Sequence, residues 1–94
     1  MKIEFSQKAY VSLEQIAEYI FEQSQSKKIT RTYVKGLNLY ITQTLSLFPK
    51  AGRPAEEFGK DVRKLVYQRY SILYKVESER IVVLTLFREN LPAM

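Results

Sequence analysis

Ninety-four residues without a cysteine or a histidine exclude disulfides, thiolate chemistry and the usual zinc sites. They also lack the one side chain whose ordinary pKa lies near neutrality, so acid–base work would need a shifted Lys, Tyr, Asp or Glu. The 15 basic residues against 10 acidic ones give a net charge of +5, and a hydrophobic fraction of 46% suits a folded domain.

A chain of this size is expected to form one domain, residues 1–94, burying roughly 60–65% of its unfolded surface. No run of about 18 apolar residues is present, which excludes a membrane-spanning helix. The opening residues do not read as a secretory signal, so the expected location is the cytoplasm.

Lys2-Ile-Glu-Phe5 alternates polar and apolar and predicts a short strand. Ser6 is a helix N-cap residue. Ala9, Leu13, Ile16, Ala17, Ile20 and Phe21 then recur at helical spacing, with Glu14, Glu18 and Glu22 on another face. The polar Gln23-Ser-Gln-Ser26 breaks the stripe. A second helix carries Ile29, Tyr33, Leu37, Tyr40, Ile41, Leu45 and Phe48, and ends at Leu47 or Phe48 because Pro49 disfavours helix just before it. Gly36 inside that helix costs about 1 kcal/mol relative to Ala, which predicts close approach of the first helix there.

The link Pro49-Lys-Ala-Gly52-Arg53-Pro54 turns the chain, and from residue 61 the period changes to two. Arg63, Leu65 and Tyr67 share one face of a strand. Tyr70, Ile72, Tyr74 and Val76 alternate with Ser71, Leu73 and Lys75 in the next. After the polar turn Glu77–Arg80, the segment Ile81–Phe87 is β-branched and apolar, as in a strand covered on both sides. The order β-α-α-β-β-β predicts an α+β domain: an antiparallel helix hairpin on a three- to four-stranded antiparallel sheet, with the first strand paired into it.

Two sets of residues stand out as binding candidates. Arg53, Arg63, Lys64, Arg69 and Arg88 cluster on and around the strands, where guanidinium groups can hold phosphates or carboxylates bidentately. The other reading of these cations is a solvated row that discourages edge-to-edge strand pairing. Leu13, Ile16, Ile20, Tyr33, Leu37 and Tyr40 make large apolar stripes on the helices; what the sheet leaves uncovered would form a partner groove. Tyr67, Tyr70 and Tyr74 lie among the basic residues, either to stack on bases or as core with the hydroxyl at the surface. Glu56-Glu57 and Glu77/Glu79 are loop carboxylates, and Gly36, Gly52 and Gly59 form no phosphate loop. No catalytic residue, metal or cofactor is expected.

The order of these segments resembles the RelE/ParE superfamily of small toxins from bacterial toxin–antitoxin pairs. The similarity spans nearly the whole chain. It rests on Ser6, Ala9, Leu13, Ile16 and Tyr19 in the first helix and on Pro49, Gly52 and Arg53 in the link. Arg63 with Leu65, the pattern Tyr70-x-Ile72-x-Tyr74 and the apolar final strand complete it. The resemblance implies a toxin silenced by an antitoxin whose acidic, partly disordered segment wraps it. RelE-like members cut messenger RNA on the ribosome, whereas ParE-like members poison DNA gyrase. Val66 stands where the nucleases tend to carry Arg, Phe87 falls near a common His position, and no Tyr follows Arg88. Arg63 with Leu65 looks ParE-like. The expectation is therefore a gyrase-binding toxin without hydrolytic chemistry. The alternatives are a ribosome-dependent endoribonuclease and a non-toxic relic that still binds its antitoxin.

Overall fold

A computed structural model describes residues 1–89. The chain runs β1 (Lys2–Phe5), α1 (Gln7–Ser24), α2 (Lys27–Leu47), β2 (Arg53–Pro54), a 3-10 turn at Glu56–Phe58, β3 (Arg63–Tyr67), β4 (Tyr70–Val76) and β5 (Arg80–Arg88). Serines start both helices. The Ser6 hydroxyl accepts from the Ala9 amide at 3.0 Å, and the Ser26 hydroxyl accepts from the Ile29 amide at 3.1 Å. Gln25, in the left-handed region at φ 53°, reverses the chain between them. The second helix stops at Leu47, ahead of Pro49, as the restriction on residues before proline requires.

The sheet has five strands in the order β1-β5-β4-β3-β2. It extends the expected meander in two ways. The link contributes the two-residue strand β2, antiparallel to β3. At the other edge β1 lies parallel to β5, because the helix hairpin serves as the crossover that parallel pairing requires. The apolar β5 is thus flanked on both sides. Opposite the Leu73/Tyr74 step, β5 carries Leu84 as an extra residue, with Val83 and Thr85 paired on either side. Ser6 fastens this bulge: its amide donates to the Val83 carbonyl at 2.9 Å and its hydroxyl to the Leu84 carbonyl at 2.7 Å.

The core lies between the helix hairpin and one face of the sheet. Ala9 and Ile16 of α1 and Leu37, Ile41 and Leu45 of α2 meet Leu65, Tyr70, Ile72, Tyr74, Ile81, Val83 and Leu86. The expected close approach of α1 at Gly36 is absent, and the nearest group is an ordinary contact from the sheet. A Cβ there would come to 3.4 Å from the Tyr67 hydroxyl oxygen of β3, which is its nearest neighbour. Gly52 is more demanding. A Cβ would lie 2.6 Å from the Lys64 carbonyl oxygen and 2.8 Å from the Tyr74 ring, so only glycine lets the link pass.

Candidate functional site

The strand cations do not form a single patch. Arg63 shares the helix-side face with Tyr74, its register partner. Its Nε donates to the Gly52 carbonyl at 2.9 Å and its Nη2 to the Lys50 carbonyl at 3.2 Å, so it holds the link in place. Lys64 alternates to the opposite face. Its Nζ lies 2.7 Å from Glu89 Oε1 with only 11% of the side chain exposed, while the buried Ser71 hydroxyl donates to Glu89 Oε2 at 2.6 Å. Lys64 first, and then Ser71, holds the Glu89 carboxyl below its ordinary pKa. Arg53, opposite Lys64 in the register, donates to Glu57 Oε2 at 3.1 Å on the surface. Arg69 is exposed in the β3–β4 turn, where its carbonyl accepts from the Glu89 amide at 2.7 Å. Arg88 returns to the helix side, its guanidinium 4.5 Å from the centre of the Tyr19 ring.

Around Arg88 the helix-side face ends in tyrosines. Tyr33 of α2 meets Tyr67 edge-on at 6.2 Å and Tyr70 at 6.1 Å, and Tyr40 lies 4.8 Å from Tyr67. Tyr70 stands opposite Arg88 in the β4–β5 register. Burial pushes the Tyr33 and Tyr70 hydroxyls up from their ordinary pKa, with Arg88 opposing the shift in both. They are therefore protonated donors at neutral pH. Tyr70 is only 4% exposed, yet its hydroxyl has no hydrogen-bond partner among the described residues; nor is it sealed in, since no enclosed side-chain polar atom lacks a partner.

The helices place their apolar stripe differently from expectation. Ile16 and Leu37 are core, and Leu13, Ile20, Tyr33 and Tyr40 pack against it. These six line the inner side of the hairpin, because the wide sheet takes up the whole inward stripe. The groove that remains open lies between α1 and α2 on the outer side. Ala17, Phe21 and Val34 contribute its apolar surface, and Lys27, Arg31 and Lys35 give it a basic rim with Glu18 opposite. The signal for it was present: Ala17 with Phe21, and Lys27-Arg31-Lys35, recur every four residues, one helical stripe each. The Ser71–Glu89–Lys64 clasp had no local signal, since it joins three strands' ends far apart in sequence.

The geometry thus provides cations and phenolic donors at the open end of one sheet face and an apolar, basic-rimmed groove across the hairpin. Both suit an acidic, amphipathic macromolecular partner. Residues 3–90 match the family described as ParE toxin of type II toxin-antitoxin system, parDE, and the chain belongs to it. Among solved structures it is similar to a chain of a chromosomal ParDE toxin–antitoxin system from P. aeruginosa. That match has 22% identity and a TM-score of 0.81, and covers 96% of this chain and 97% of the other. It is also similar to a chain of the toxin–antitoxin complex RelBE2 from Mycobacterium tuberculosis, at 17% identity and TM-score 0.67, covering 94% and 96%. At these identities the likeness speaks to the fold. No curated protein sequence matches the chain.

Proposed function

We propose that this ParE-family toxin arrests growth in the cytoplasm by gripping DNA gyrase, and that a cognate antitoxin neutralises it by laying an acidic, amphipathic segment over the helix hairpin. The reading is carried by the engagement of the cations. Arg63 is spent on the link and Lys64 on Glu89, and Val66 is exposed where the nucleases of the superfamily tend to carry Arg. No histidine is available to move a proton. The charged groups can hold a surface, with Arg53, Arg69 and Arg88 as the target contacts. Hydrolysis of RNA would need an acid–base pair that this arrangement does not converge.

On the antitoxin side, the basic rim of Lys27, Arg31 and Lys35 matches an acidic segment, and Phe21 with Val34 receives its apolar side chains. Induced expression should stop growth, accumulate gyrase-cleaved DNA and raise the SOS response. Undisturbed growth, or new codon-phased message ends found by primer extension, overturns the gyrase reading.

A further inference from the structure

The tyrosine end of the sheet carries more than packing requires. Four elements bring phenolic hydroxyls there: Tyr19 from α1, Tyr33 from α2, Tyr67 from β3 and Tyr70 from β4. Arg88 from β5 stands beside them, over the Tyr19 ring. A purely structural tyrosine in this fold looks like Tyr74, fully enclosed, with its hydroxyl accepting the Gly52 amide at 2.9 Å. Tyr70 lies four residues earlier on the same strand and is almost as buried, yet its hydroxyl has no hydrogen-bond partner among the described residues. A buried ring whose hydroxyl opens to solvent, beside a guanidinium that forms no ion pair with a described carboxylate, presents two donors that an incoming acceptor can reach.

We propose that Tyr33, Tyr70 and Arg88 form a socket for one side-chain carboxylate of an acidic peptide partner. This rests on the reading of the chain as a toxin held by an acidic antitoxin segment, and it assigns that segment an anchor point at the end of the hairpin. The socket's chemistry selects the ligand. The guanidinium and both phenolic hydroxyls can donate, and the one fixed charge balances one carboxylate, which the planar guanidinium matches as a fork. A nucleic acid backbone presents a row of phosphates and is held by several cations. It also offers bases to stack, but the aromatic faces here are taken: Arg88 covers Tyr19, and Tyr33, Tyr40, Tyr67 and Tyr70 pack on one another.

The test uses the purified full chain and a labelled amphipathic peptide of leucine and glutamate. A matched peptide with glutamine for glutamate and a short single-stranded oligonucleotide are the comparisons. Tyr70→Phe and Arg88→Gln are each expected to weaken the glutamate peptide by about tenfold, the loss of a hydrogen bond to a charged group. The glutamine peptide should bind weakly and be indifferent to both changes. Tyr70→Phe removes only an oxygen the fold does not use, so its melting temperature should match the parent, and it keeps the test valid if Arg88→Gln unfolds. Three results overturn the socket: no binding of the glutamate peptide, equal binding by parent and Tyr70→Phe, or a variant-dependent loss seen with the oligonucleotide in place of the peptide. Growth arrest on expression is scored separately, so a failed socket and a failed toxin reading give different outcomes.

Discussion

The two ends of the helix-covered sheet face use the same residue types for opposite purposes. At the link end, Tyr74 and Arg63 are paired across β3 and β4. The Tyr74 hydroxyl takes the Gly52 amide, and the Arg63 guanidinium takes the carbonyls of Gly52 and Lys50. Those bonds fix the turn from helix to sheet. At the far end, Tyr70 and Arg88 are likewise paired across two strands, but neither hydroxyl nor guanidinium closes a bond with a described group. Residue type and burial do not separate the structural pair from the available one. What separates them is where the polar tips lie: the Tyr74 hydroxyl is enclosed and bonded to the Gly52 amide, while the Tyr70 hydroxyl, although its ring is buried, stays open to solvent and to a partner.

That contrast can be broken in graded steps. The largest effect belongs to Gly52→Ala, which forces a Cβ into the Lys64 carbonyl and the Tyr74 ring. It should destabilise the chain by about 3 kcal/mol in urea unfolding, the upper range for overpacking. An unchanged midpoint contradicts the close approach at the link. Tyr74→Phe comes next. It leaves the buried Gly52 amide without its acceptor and should cost about 1–3 kcal/mol. Tyr70→Phe on the same strand should stay within about 0.5 kcal/mol of the parent. Equal losses at the two positions would erase the distinction between the ends.

Acid sharpens the comparison on the opposite sheet face. Lys64 and Ser71 depress the folded pKa of Glu89 below its ordinary 4.5, so its stabilising contribution is full above that value. It is lost as the pH falls through the lower folded pKa. Glu89→Gln should therefore flatten the acid limb of the stability curve, and an unaltered acid limb contradicts the clasp. The outer groove gives a binding prediction without a folding cost. Phe21 is 37% exposed, so Phe21→Asp should keep native circular dichroism while weakening antitoxin binding by about thirtyfold, as for a central apolar contact. Retained affinity removes the groove from the partner surface.

Much of the scaffold was legible in the sequence. Ser6 and Pro49 bounded the helices through capping and proline sterics, and the change of period at residue 61 announced the strands. The placement of β1 beside β5 was not legible, since alternation names a strand and not its neighbour. The two-residue strand at Arg53–Pro54 was too short for any period to show. Which candidate residues reach the surface was not legible, for a physical reason. Periodicity finds the largest apolar stripe, and on a two-layer fold that stripe faces the sheet, so Leu13, Ile16, Ile20, Tyr33, Leu37 and Tyr40 pack in or against the core while Phe21 and Val34 line the outer groove. The cations were found by type, but only the tertiary fold assigns Arg63 to the link and Lys64 to Glu89.

The proposed mode of action is that this toxin holds its target and breaks no bond itself. Purified gyrase with relaxed plasmid, supplied with excess toxin, tests it most directly. The account predicts lost supercoiling together with accumulated cleaved DNA, reversed when antitoxin is added. Normal supercoiling, with messenger RNA cut on ribosomes given the same protein, contradicts it.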